Sequence, residues 1–345
     1  MGRGRRVLII MVLLCRTADA GGVFRAGRDI GDKRDVNLRV TVGEVLEIEG
    51  AVQETTRSFY DVTDQQFKQD LAERYDLNDF GMEGGYPTVG LAFENAGKYF
   101  TFLFDIALMN PEVDTVAQRN YYIGIGKKIE FDGGSYENMK IEEGTPFTMD
   151  IIGAVTEVRG LFTPFTFRPG ESFRFTPWID VGLYMFLGNY DIDAGPATGV
   201  TKYLEPPQDF VIGGKSSGLI GIGMPEFGAG GEIRLGGEDE VNLVLQGYYS
   251  AFEYEGSSAF LTSTRHREKN LDLEHVNYRI RLILEIPLSG GRNVTVGVKY
   301  QLVESEAAIT SQAATEAEII ASRERFDKDV NFRLLMVSGM LGLTF

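Results

Sequence analysis

The chain ends in D-V-N-F-R-L-L-M-V-S-G-M-L-G-L-T-F, Asp329 to Phe345. Counted back from the last residue, every second position is apolar or small: Phe345, Leu343, Leu341, Gly339, Val337 and Leu335. The set between them, Thr344, Gly342, Met340 and Ser338, is smaller and more mixed. A period of two puts alternate side chains on opposite faces of a β-strand, so one face meets something oily and the other does not. A water-soluble protein blunts such a strand with charge or proline. This one finishes on an aromatic ring.

The same alternation recurs upstream. Val36, Leu38, Val40 and Val42 oppose Asn37, Arg39, Thr41 and Gly43. A second strand near 85–94 shows Val89, Leu91 and Phe93, and a tight turn at Asn95-Ala96-Gly97 leads to Phe100, Phe102, Phe104, Ile106 and Leu108. A fourth, 147–167, loses its apolar phase after Val155 and predicts a bulge. The fifth is regular from Phe173 to Leu187, the sixth (218–235) is glycine-rich, and the seventh alternates from Val241 to Tyr249. The eighth runs from Val276 to Leu288 and the ninth from Val294 to Leu302. Pro177, Pro225 and Pro287 fall inside these strands and count against regular pairing. Between strands, connections alternate long and short. The long ones lie near 53–81, 110–144, 191–217, 257–270 and 304–328. Phe67, Leu71 and Tyr75 predict a short amphipathic helix in the first, and an Ala/Glu/Ile run predicts one in the last. Tyr121–Phe131 predicts either a hairpin above the barrel or two further strands.

These features resemble bacterial outer-membrane β-barrels, whose closing strand is alternating and apolar and ends in Phe. The fold expected is an all-β, antiparallel, up-and-down transmembrane barrel. Such barrels have even strand numbers, short periplasmic turns and long outer loops. Ten strands satisfy both conditions with both termini in the periplasm, eight and twelve being the alternatives. Leu183, Leu284, Val296 and Phe102 should then face lipid. The competing fold is a soluble sandwich or lipocalin-like barrel. Strands longer than a membrane crossing and a heavily charged opposite face weigh against it. In the resembled family, assembly machinery reads the last strand, which assigns that role here to Phe345, Leu343 and Leu341. The partners implied are outer-membrane lipid and the barrel assembly machinery.

The other end fits this address. Met1–Ala20 has a basic start (Arg3, Arg5, Arg6), an apolar core (Val7–Leu14) and an Ala18-Asp19-Ala20 cleavage signal. Cys15 follows Leu14, which is bulky where a lipoprotein signal calls for a small residue. Residues 21–34, rich in glycine and charge, predict a flexible periplasmic leader, and 35–345 the barrel. Cleavage after Ala20 would remove four of the 34 basic residues and one of the 50 acidic ones, deepening the net charge from −16 to −19. It would also remove the one cysteine, leaving no disulfide or thiolate chemistry. The acidic excess argues against nucleic acid. A slightly negative mean hydropathy suits strands whose polar half offsets the apolar half.

Strand parity predicts a lumen holding Arg39, Asp105, Asp150, Arg174, Asp180, Arg279, Arg281, Glu285 and Lys299. Two readings follow. The charges tune a narrow porin-like channel for small solutes or ions, or they pair and fill a small barrel that binds or supports at the surface through its long acidic loops. If the lumen is filled, Asp180 or another acid must lie within reach of Arg279 and Arg281. The loop from Gln53 to Gly81 carries seven acids against three bases. That excess is either a solvated surface or one that recruits divalent cations or basic partners. Enzyme chemistry is not expected. The ten-stranded omptin proteases use an Asp-x-His at the outer rim, and neither His266 nor His275 follows an Asp by two. No Ser sits in a G-x-S-x-G elbow with a matching His, Gly124-Ile125-Gly126-Lys127 lacks phosphate-loop spacing, and no cofactor or metal set is called for.

Overall fold

The structure is a computed structural model. It describes residues 23–28, 35–61, 66–76, 78, 81–116, 118, 121–131, 134–141, 143–199, 210–237, 240–257, 269–289, 291–311 and 324–345. The signal segment, His266 and the Ala/Glu/Ile run around 312–323 lie outside those residues. Ten strands form the wall: β1 (Asp35–Glu49), β2 (Tyr86–Ala96), β3 (Phe100–Met109), β4 (Pro146–Phe162), β5 (Phe173–Gly199), β6 (Phe210–Leu235), β7 (Asn242–Ser257), β8 (Lys269–Leu288), β9 (Arg292–Ser311) and β10 (Glu324–Thr344). Each pairs antiparallel with its neighbours in chain order, and β10 pairs with β1 to close the ring. At the seam the Phe345 N–H donates to the Val36 carbonyl at 2.9 Å and the Val36 N–H to the Phe345 carbonyl at 3.2 Å.

Alternation sets the two faces. Leu183, Leu284, Val296 and Phe102 are exposed on the outside, with Phe100 reaching 71% exposure. A ring of such residues has no water-soluble counterpart, and in a closed barrel no strand edge is left to satisfy. The wall is therefore transmembrane. The apolar band ends toward the long loops at exposed Glu253, Glu255, Asp272, Glu274, Glu304 and Glu306. Val298, 51% exposed, is the middle of the five outward residues Val294 to Leu302 on β9. Val298→Arg should destabilise the barrel in lipid vesicles by about 2–4 kcal/mol and Val294→Arg, near the rim, by no more than about 1 kcal/mol. Urea titration followed by Trp178 fluorescence measures both. Equal costs would remove the depth-dependent lipid contact.

Several expectations change. The helix expected over Phe67–Tyr75 is a strand: Gln66–Asp76 pairs with Ala51–Asp61, which in turn pairs with the outer end of β10. A spacing of four is even, so it satisfies a strand as well as a helix, and the tall β10 supplies an edge to pair with. Tyr121–Phe131 and Gly134–Ile141 form a two-stranded sheet of their own, so the wall keeps ten strands. The leader is not free throughout. Phe24–Ala26 pairs with Phe165–Phe167 at the short-turn rim of the barrel.

The expected bulge lies beyond β4 and not after Val155: the register with β5 runs unbroken from Phe147 to Phe162, and one extra residue then separates Phe162↔Ile179 from Phe167↔Phe175. The phase of β4 drifts because the lumen itself changes character along the strand. Inward positions are Met149, Ile151 and Val155 in the half toward the long loops, then Glu157 and Arg159 nearer the short turns. Asp150 is corrected accordingly: it sits with exposed Ile152 on the outward face, because apolar residues here point in. β5, β6 and β8 pass through Pro177, Pro225 and Pro287 with no register shift at those residues.

Candidate functional site

The lumen is the place where polar chemistry concentrates. Strands tilt and stagger in a barrel, so residues that meet across the interior come from distant registers. β3 and β8 stand five apart in the ring of ten and thus face each other across a diameter. Asp105 of β3 accepts from Arg281 at 2.8 Å and Arg279 at 3.4 Å, both on β8, and from Lys299 of β9 at 3.0 Å. Arg279 also meets Glu157 of β4 at 2.6 Å. Both arginines lie over the Tyr248 ring, 4.5 and 5.7 Å from its centre, which offsets part of their mutual repulsion. The carboxylate within reach of Arg279 and Arg281 is therefore Asp105, with Glu157 added, and not Asp180.

Asp180 belongs to a second knot. Arg159 holds Glu157 at 3.3 Å, Asp180 at 3.0 Å and Glu226 at 2.6 Å, and donates to Ser250. Space for it comes from Gly182, where a Cβ would stand 2.8 Å from Arg159 Cγ. Toward the loops, Asn277 donates to Glu157 at 2.8 Å and to Glu226 at 2.7 Å, and Gln301 also donates to Glu157. His275 lies between Glu226 (2.9 Å) and Ser305 (2.7 Å) with Tyr184 beside its ring. The order Ser, His, Glu is that of an acyl-transfer relay. Ser305 is 1% exposed, and Glu226 is also committed to Arg159.

Nearer the short turns, Arg39 pairs with Glu94 at 3.2 Å, and Arg234 with Glu285 at 2.6 Å and Glu232 at 3.4 Å. Arg174 faces inward at the mouth and is half-buried. Among the described residues the buried cations are Arg28, Arg39, Arg159, Arg279, Arg281 and Lys299, and the buried carboxylates Glu94, Asp105, Glu157, Asp180, Glu226, Glu232 and Glu285. Half-buried Arg234 brings the signs level. Such pairing is what removing ions from water requires.

Above the ionic lattice the lumen turns apolar. Ile48, Met149, Ile151, Phe186, Phe332 and Leu334 are buried there. Phe186 of β5 and Phe332 of β10, again five strands apart, place their ring centres 4.9 Å from each other. Two diameters, one ionic and one aromatic, are thus filled.

Parity located Arg39, Asp105, Asp180, Arg279, Arg281, Glu285 and Lys299 on inward positions, where all seven are buried. Sequence reasoning missed Arg28, Glu94, Glu157, Arg159, Glu226, Glu232 and Arg234. Glu94 was legible as the inward neighbour of Phe93. Glu226, Glu232 and Arg234 lie on glycine-rich β6, where Gly228 and Gly230 erase the alternation.

The fold and its lumen define a class: a ten-stranded transmembrane β-barrel with a filled interior. No family model and no curated protein matches the chain. Among solved structures it is similar to the outer membrane protease OmpT from Escherichia coli, at 8% identity over 90% of this chain and 96% of that one, TM-score 0.39. A Pseudomonas aeruginosa FadL homologue matches at 8% identity over 91% and 90%, TM-score 0.22. The β domain of the Bordetella autotransporter BrkA matches at 9% over 90% and 99%, TM-score 0.25.

Proposed function

We propose that this chain is a closed barrel of the bacterial outer membrane that acts as a rigid anchor, presenting its long acidic loops for binding or support at the cell surface. The observation that carries the proposal is the pair of filled diameters, Asp105 to Arg279 and Arg281 below and Phe186 to Phe332 above. A porin-like channel requires polar wall residues that leave the axis open and bind ions weakly enough to release them. Ion pairs that cross the axis do the reverse. No enzymatic role is assigned, and the terminal strand, hydrogen-bonded to Val36, serves as the assembly signal.

Planar-bilayer recording of the refolded, heat-modifiable chain tests the proposal. Silence at moderate voltage is the expected result. A steady ion-selective conductance that changes sign of selectivity in Arg279→Glu, Arg281→Glu would establish the channel instead.

A further inference from the structure

The described part of the leader is built into the periplasmic mouth. Phe24 packs its ring on Phe165 and Phe167, at 5.8 and 5.0 Å between centres. The Arg168 N–H donates to the Val23 carbonyl at 2.6 Å and the Thr166 hydroxyl to the Gly27 carbonyl at 2.9 Å. The chain then bends at Gly27, whose φ of +75° lies in the left-handed region. A Cβ there would also stand 2.5 Å from the Lys98 carbonyl oxygen, so the bend calls for glycine twice over. Beyond the bend the Arg28 N–H donates to that carbonyl at 2.6 Å. Its side chain enters the lumen, 8% exposed, and bridges Glu94 of β2 (3.3 Å) to Glu232 of β6 (2.8 Å). Those strands are four apart, so the guanidinium spans the mouth.

The two carboxylates do not depend on Arg28 to exist as a site. Glu94 keeps Arg39, and Glu232 keeps Arg234 and an amide donated by Gln246 at 2.9 Å. What Arg28 adds is a fork-shaped cation between two fixed acids, the geometry at which a guanidinium is held best.

We propose that the periplasmic mouth is a guanidinium-binding site formed by Glu94 and Glu232 and occupied in cis by Arg28, with Val23–Arg28 as a removable plug. Displacing the plug opens the mouth and leaves a site for a guanidinium or small ammonium compound. This inference rests on the closed-lumen reading. The test uses the full chain in a Cys15→Ser background with Ala96→Cys as the reporter. Ala96 is fully buried on the inward face two residues from Glu94. With Arg28 intact, a cationic methanethiosulfonate reagent should react slowly there. In Arg28→Ala it should react about a hundredfold faster, on the scale of losing two charge-assisted hydrogen bonds. Added guanidinium chloride at non-denaturing concentration should slow it again. Gly27→Val retains Arg28 but forbids the bend, should give the same acceleration, and carries the test if Arg28→Ala does not reach the folded, heat-modifiable form. Equal rates with and without the plug would overturn the proposal, as would indifference of the exposed site to guanidinium. A wild-type conductance accompanied by the rate difference would remove the closed-barrel reading and keep the plug.

Discussion

Asp105→Asn is expected to destabilise the folded barrel by about 3–5 kcal/mol, the cost of stripping a buried ion from its partners. One carboxylate serves Arg279, Arg281 and Lys299, so a change of a single atom type takes the shared charge from all three and leaves Glu157 as a carboxylate contact of Arg279 alone. The side chain keeps its volume, which separates the charge effect from a cavity. The reverse substitution is the control. Lys299→Met removes one of three cations from a carboxylate that retains two arginines, and should cost no more than about 1.5 kcal/mol. Trp178 packs at a tilt against Tyr248, 5.0 Å between ring centres, and both arginines rest on that tyrosine, so Trp178 fluorescence reports the network during urea unfolding in lipid vesicles. Equal costs for the two variants would mean that Asp105 is not the shared hub.

A comparable loss is expected at Arg159. Its guanidinium joins Glu157, Asp180 and Glu226, all buried, and its alkyl chain fills the space left at Gly182. Arg159→Ala should cost about 3–5 kcal/mol by stranding carboxylates in the lumen. Arg159→Lys restores the charge but cannot hold three acids with one ammonium group, so it should recover only part of the loss. The same urea titration ranks the three proteins. Full recovery by lysine would show that charge alone, without the fork, holds the knot together.

How much of this was legible beforehand follows from what each face must do. Lipid imposes one chemistry on the whole outside, so Phe102, Leu183, Leu284 and Val296 could be placed by counting in twos. The interior imposes no single chemistry. It is ionic at Glu157 and Arg159 and apolar at Met149 and Ile151 on the same strand, which is why Asp150 was placed on the wrong side. Parity states that Arg279 points inward, but not that it meets Asp105. That contact depends on tilt and stagger, which the alternation does not encode. Arg28 was invisible for another reason. A stretch of glycine and charge has no period, and its insertion depends on a single left-handed residue, Gly27.

The seam between Val36 and Phe345 has a consequence for how the molecule comes into being. The first and tenth wall strands are neighbours in space, so the ring cannot close until β10 has joined β1. Until that moment β1 and β10 are both bare edges, rich in unpaired backbone and in valine and leucine, the combination that drives strands to join the wrong partner. Joining such remote parts of the chain is also the slowest kind of contact to make. Closure is therefore the contact that removes both edges at once, and aggregation through those edges is favoured for as long as it is delayed.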